Sequence, residues 1–264
     1  MNQQEFLPIL EQRVIEVCGV NHPYYPAWSQ YYRNRGDRLT GLVKCVAERL
    51  PFPIERALVL DIGCGTGSAT VELARLGARV IGLDLDQRFG LDLAKIRTQD
   101  EPVLALLSSD ALRLPFPNGS VDCCFASNAI EHFPDYRQAI AEMQRVTRPG
   151  GVVYVETPNK LWPWEAHTQL LFAGWLPPAV AEIYVKLRGK RRWQDRWDVR
   201  PLSYWQLRHA LERVGLEIRA DFPDLIPYDT SSLASGLRRA AALGAPVQWV
   251  MPTLKLLALK PVAR

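Results

Sequence analysis

The sequence predicts an α/β protein built on a doubly wound, mostly parallel sheet of seven strands. Two observations carry that prediction. Short, β-branched-rich apolar runs alternate with helical segments from residue 57 to residue 156, the pattern of parallel strands joined by crossover helices. The first of these runs leads directly into Val59-Leu-Asp-Ile-Gly-Cys-Gly-Thr-Gly-Ser68, where three glycines at alternate positions mark a tight turn between strand and helix.

Residues 1–50 read as helical and partly amphipathic, with an aromatic cluster at Tyr24, Tyr25, Trp28, Tyr31 and Tyr32, and Pro51 and Pro53 separate them from the first strand. The expected order is then strand 57–62, helix 68–76, strand 79–84, helix 86–97, strand 103–108, strand 121–126, helix 134–147 and strand 151–156. Pro149-Gly150-Gly151 is expected as the turn between the last two. An insertion at about 158–200, with five tryptophans, interrupts the alternation. Ser203-Tyr-Trp-Gln206 has the shape of a capping box, and the helix after it places Leu207, Ala210, Leu211 and Val214 on one face before Gly215. Strands at 216–222 and 253–260, separated by a helical piece near Leu233 to Leu243, complete the seven.

The glycine turn is the most informative feature. Residues without side chains let a backbone lie against a ligand, and Ser68 is expected as the N-cap of a helix whose free N–H groups face the same place. Asp84 would end the second strand beside that crevice, where its carboxylate can accept hydrogen bonds from both hydroxyls of a ribose, with Leu85 next to it. The dinucleotide fingerprint needs its third glycine three positions after the second, and Ser68 stands there, which disfavours a nicotinamide-dependent oxidoreductase.

Asp61-Ile-Gly-Cys-Gly-Thr-Gly67 resembles the first motif of the class I S-adenosylmethionine methyltransferases, and Arg113 to Phe133 resembles the fourth-strand motif of their ubiquinone- and menaquinone-biosynthesis type. The likeness covers residues 55–160 well and 200–222 loosely. It implies a Rossmann-like methyltransferase fold whose final two strands are antiparallel, and S-adenosylmethionine as cofactor. It also implies a helical lid over residues 1–50 and a cofactor-binding domain over 51–264. The implied cofactor contacts are Asp61, Gly63, Gly65 and Gly67 in the loop, Asp110 and Ala111 at the adenine, and Ser127 and Asn128 at the methionine end. Asp84 keeps its ribose role. Tyr24, Tyr25 and Trp28 would stand over the cofactor and acceptor, where their ring faces could meet the sulfonium or simply pack a helix on the sheet.

The insertion would overhang the carboxyl ends of the strands, so it is the expected source of acceptor specificity. Trp162 and Trp164 are its candidate acceptor contacts, and Glu165 and His167, two residues apart, could form an oriented base for a hydroxyl. His132, in a Glu-His pair typical of this branch, is a second candidate base, with a structural role as its alternative.

Composition bounds the rest. A chain of 264 residues, 48% apolar, can bury one substantial core. Five cysteines, two of them adjacent at 123 and 124 in an apolar run, do not form a disulfide framework and read as core residues of a cytoplasmic protein, and metal ligation is not expected. No basic-then-apolar leader and no apolar run of 18 residues is present in the sequence. The net charge of +4 resides in Lys186–Arg200, which alone carries +5 and leaves the remainder at −1. That local patch, preceded by the apolar stretch 170–187, fits a peripheral membrane contact or an anion-binding lid better than a nucleic-acid surface.

The reading is therefore methyl transfer from S-adenosylmethionine to a small molecule or a lipid- or glycan-linked acceptor, at oxygen. A non-catalytic cofactor-binding subunit and an RNA methyltransferase are its alternatives.

Overall fold

The computed structural model describes residues 3–19, 38–168, 170–189, 199–221, 232–243 and 247–262. Seven strands form one sheet: β1 (Leu58–Ile62), β2 (Arg79–Asp84), β3 (Ala105–Ser108), β4 (Val121–Ser127), β5 (Thr147–Pro158), β6 (Glu217–Asp221) and β7 (Thr253–Leu259). Their order across the sheet is β3-β2-β1-β4-β5-β7-β6. All neighbours pair in parallel except β7, which runs antiparallel to both β5 and β6. The winding reverses between β1 and β4, so the connections leaving those strands diverge and open a crevice at their carboxyl ends.

The period of two along each strand divides the core into two layers. Leu60, Ile62, Cys124, Ala126, Val153, Val155 and Leu256 face one side, where α5 (Tyr136–Val146) and α7 (Tyr204–Arg213) cover them with Ile140, Met143, Leu207 and Leu211. Val59, Cys123, Phe125, Val152, Tyr154 and Leu257 face the other, against a helix at 38–47 (α2) and α3 (Ser68–Arg75). Leu39, Leu42, Val43 and Val46 place α2 within this layer. Cys123 and Cys124 are thus core residues; burial pushes the Cys124 thiol up to about 12, which keeps it protonated and inert. The remaining amino-terminal helix, α1 (Gln3–Cys18), buries Phe6, Leu10 and Val14 against Phe89 and Leu93.

Several local expectations need correction. The helix expected over 86–97 is a π-turn at Gln87–Leu91, capped by the Asp86 carboxylate on Phe89 N–H, that runs into α4 (Asp92–Thr98). Pro149-Gly150-Gly151 is not a connector. It is an irregularity inside β5, which pairs from Thr147 onward: between the Val121↔Thr147 and Cys123↔Val152 pairs the register shifts, and Gly150 takes φ +75°. The antiparallel closing pair and the helix before it are as expected, with β6 and β7 joined through a segment that contains α8 (Ser232–Ala242). Within the insertion the described residues form a 3-10 turn at Ala173–Trp175 and α6 (Pro178–Leu187). Among the described residues no helix is long and apolar enough to cross a membrane.

The capping box is formed: Ser203 N–H donates to Gln206 Oε1 at 2.9 Å, and Gln206 N–H donates to Ser203 Oγ at 3.4 Å. Ser203→Ala should remove about 1 kcal/mol, the usual worth of an N-cap. A thermal melt should register this as a fall of about 2–4 °C at this chain size.

Candidate active site

At the carboxyl end of β1 all three glycines take left-handed conformations, φ +70° at Gly63, +52° at Gly65 and +74° at Gly67. Each does so for its own reason. A Cβ on Gly63 would lie 2.4 Å from Ala129 Cβ, so the turn can touch the end of β4 only without a side chain. A Cβ on Gly67 would come within 3.2 Å of Ala94 Cβ on α4. Among the described residues nothing lies within 4 Å of that position on Gly65, the surface a ligand can approach. Gly67 is itself the N-cap of α3 and makes no side-chain cap. Ser68, expected in that role, is instead the first helical residue, because the left-handed Gly67 already turns the chain into the helix.

The turn is pinned to β2. Gly63 and Cys64 N–H both donate to Leu83 O at 2.8 and 2.9 Å, and Gly65 N–H donates to Asp84 Oδ2 at 2.8 Å. Asp84 Oδ1 accepts from Asp86 N–H at 2.8 Å. Burial raises the Asp84 pKa, while these backbone donors oppose the rise. Leu85, beside Asp84, is 65% exposed, an apolar side chain held in solvent at the mouth of the crevice. Asp61 is buried and accepts from Thr70 Oγ1 at 2.6 Å, tying β1 to α3. Asp110 folds back on its own loop, accepting from Leu112 N–H at 2.9 Å, and Ala111 is buried in the core.

At the end of β4, Ser127 and Asn128 are organised by a residue that sequence reasoning does not single out. Glu156, on β5, is fully buried and accepts from Ser127 Oγ, from Asn128 Nδ2 at 3.3 Å and from Arg38 Nη1 at 2.7 Å. Lys255 Nζ stands 3.8 Å away. Burial alone would raise the Glu156 pKa, but the charges of Arg38 and Lys255 outweigh it and hold the group at about 2. Asn128 takes φ +52°, a conformation Asn tolerates better than most side chains.

A second cluster lies just beyond. His132 closes the 3-10 turn Ile130–His132, and His167 comes from the insertion. Their rings meet edge to face at 5.2 Å, and Nε2 of each stands 4.0 Å from Oε1 of the buried Glu131. Glu165 accepts from His167 Nδ1 at 2.8 Å, from the N–H groups of His167 and Thr168, and from Thr168 Oγ1. Burial would raise the Glu165 pKa; the positive field and donors of His167 reverse that and hold it at about 2. An ionised carboxylate only accepts, so Nδ1 of His167 carries a hydrogen, and Nε2 is the ring nitrogen turned toward Glu131. Trp162 is buried, and Trp164 is 38% exposed with its ring 6.2 Å away. Tyr24, Tyr25 and Trp28 lie outside the described residues.

The structure therefore joins the glycine turn to Asp84 and to the end of β4, and joins His132, Glu165 and His167 around Glu131. Sequence reasoning missed Arg38, Glu156 and Lys255. The Glu156-Thr-Pro-Asn159 run was the available signal for one of them; nothing local distinguishes Arg38 or Lys255 from surface cations.

A glycine turn at the switch point of a β3-β2-β1-β4-β5-β7-β6 sheet, with an acid ending β2, is the architecture of the class I methyltransferases, whose methyl donor is S-adenosylmethionine. The chain belongs with them: residues 60–155 match the family model described as "Methyltransferase domain". It is 30% identical over 160 residues to the demethylmenaquinone methyltransferase of Staphylococcus aureus (strain Newman), covering 59% of this chain and 66% of that one. It is 39% identical over 125 residues to the biotin biosynthesis bifunctional protein BioHC of Cellvibrio japonicus, covering 46% of this chain and 24% of that protein. The matches thus span less than two thirds of either curated relative. Among solved structures, the [4+2]-cyclase SpnF has the same fold, with a TM-score of 0.58, 23% identity, and coverage of 99% of this chain and 95% of that one.

Two measurements check the site's construction. Gly65→Ala should cost only the left-handed backbone penalty, about 1–2 kcal/mol, whereas Gly63→Ala adds the clash with Ala129 and should cost visibly more in the same denaturant titration. The lowered Glu156 pKa contributes stability that is fully present above the unfolded value and is lost as pH falls from about 4.5 toward about 2, in total about 3 kcal/mol. The acid limb of stability against pH should therefore be shallower in Glu156→Gln than in the parent chain.

Proposed function

We propose that this protein transfers the methyl group of S-adenosylmethionine to a hydroxyl of a small-molecule or lipid- or glycan-linked acceptor. The observation that carries this is the pairing of two neighbouring features: an open, left-handed glycine turn beside Asp84, and a Glu165-oriented imidazole at the strand ends next to it. The fold alone would not suffice, since a [4+2]-cyclase shares it.

The cofactor supplies an electrophilic methyl carbon on a positively charged sulfur. In this reading Gly65 and the start of α3 line its amino-acid end, Asp84 takes the ribose hydroxyls, and Leu85, Asp110 and Ala111 border the adenine. Ser127 and Asn128, fixed by Glu156, border the methyl group. In the metal-free chain His167 Nε2 takes the hydroxyl proton as the acceptor oxygen attacks the methyl carbon and the carbon–sulfur electron pair returns to sulfur. Holding the two reactants in line supplies the larger share of the acceleration, on the order of 7–11 kcal/mol. His132 flanks the same proton path. Trp164 borders the acceptor.

The menaquinone relative by its name methylates a small molecule, which supports that acceptor class. A lipid-linked acceptor has support in the insertion, where Phe172, Trp175, Val180, Ile183 and Leu187 are all exposed ahead of the basic run, as in an element that rests on a membrane surface. The basic run itself falls largely outside the described residues.

Calorimetric titration with S-adenosylhomocysteine, beside NAD as control, tests the cofactor assignment. Binding of S-adenosylhomocysteine alone is expected, weakened at least tenfold in a folded Asp84→Ala variant; unchanged affinity in that variant removes the ribose role. With an acceptor in hand, His167→Ala should lower kcat by about 10²–10⁴-fold while leaving cofactor affinity in place.

A further inference from the structure

Glu131 poses a problem that methyl transfer does not solve. It is 0% exposed, its Oε2 accepts from Thr157 Oγ1 at 2.9 Å, and its Oε1 has no hydrogen-bond partner among the described residues. A buried carboxylate oxygen left in that state is costly. Two imidazole Nε2 atoms, of His132 and His167, each stand 4.0 Å from it. That separation is too long for a hydrogen bond and suits atoms that share one cation.

We infer that Glu131, His132 and His167 form a binding site for a divalent first-row transition metal ion. The donor atoms offered by the three residues all lie within 4.8 Å of one another. Some point therefore lies no more than about 2.8 Å from all three, and side-chain shifts of less than about 1 Å bring them to the 2.0–2.2 Å of zinc–nitrogen and zinc–oxygen bonds. Two imidazole nitrogens and one carboxylate select zinc, cobalt or ferrous iron over magnesium or calcium. Three protein ligands leave a coordination position open for an exogenous oxygen.

The surroundings are those of a built site. Glu165 holds His167 through Nδ1, which fixes the tautomer that offers Nε2 to the ion, the usual outer-shell arrangement of a metal-binding histidine. Thr157 orients Glu131 in the same way. His132 and His167 stay part-exposed, with side chains 37% and 27% accessible, which leaves the ion a route in.

The site stands on this geometry alone; its purpose rests on the methyl-transfer reading. At the acceptor end an ion would bind the acceptor hydroxyl at its open position and lower that hydroxyl's pKa. The proton would then leave to solvent, and the imidazoles would serve as ligands rather than as the base.

The test uses the full chain, stripped with a chelator and titrated with zinc chloride by calorimetry and with cobalt chloride by visible absorption. One equivalent should bind, with the intense cobalt bands of a four- or five-coordinate site. His132→Ala and His167→Ala should each weaken zinc binding at least 100-fold and abolish those bands. Glu165→Gln should weaken it by about 10–100-fold. His209→Ala, on the exposed side of α7, and Cys45→Ser should change nothing. S-adenosylhomocysteine binding, measured on each preparation, certifies folding and keeps the two readings apart. Cofactor binding without zinc uptake, or zinc uptake that survives both histidine variants, overturns the metal site. Zinc uptake without cofactor binding leaves the metal site standing and removes the methyl-transfer reading.

Discussion

A carboxylate buried without solvent must be matched by charge on the spot, and in this protein that requirement organises the molecule around Glu156. Its two oxygens collect Arg38 from the amino-terminal side, Lys255 from β7, and Ser127 and Asn128 from the end of β4. Removing one member of such a set leaves an uncompensated charge in the core, typically worth about 3–5 kcal/mol. The helix at 38–47 is thereby docked at one angle on the sheet, and the end of β4 is held in the left-handed turn at Asn128. The floor of the candidate site is thus set by an ion-pair network, while its walls are set by packing.

The crevice itself comes from topology. Because β1 has β2 on one side and β4 on the other, the turn after β1 and the turn after β4 leave the sheet in different directions, and the glycine turn fills the space between them. Gly63 lets that turn rest on Ala129, and Leu83 and Asp84 hold it from the other side. The chemistry of the donor end and that of the acceptor end thus share a backbone seam with almost no slack.

What the sequence made legible was whatever obeys a local rule. The strands announced themselves by apolar runs between helices, the capping box by its Ser-x-x-Gln spacing, and the cofactor turn by glycines that have no other reason to alternate. Ser68 and Pro149-Gly-Gly were misread for one reason: a glycine at positive φ can redirect the chain one residue earlier, or inside a strand, and its neighbours do not show which. Arg38, Glu156 and Lys255 were illegible because their meaning is the contact among them, made across most of the chain's length. Glu165 and His167 were visible as neighbours. That they meet Glu131 and His132 depends on how the insertion folds back, which no spacing encodes.

The placement of β7 between β5 and β6 bears on the order in which the protein can assemble. Strands β1 to β5 and their helices precede it in the chain and already form a parallel sheet with Arg38 available to Glu156. The last of these, β5, nevertheless keeps one edge open, and β6 has no neighbour to pair with, until β7 enters between them. Lys255 arrives with that strand. During synthesis the nascent chain would therefore carry an apolar, unpaired strand edge through the whole insertion, α7 and β6. The exposed aromatic surface of the insertion is present over the same interval, so this is the stage at which a chaperone has the most to hold.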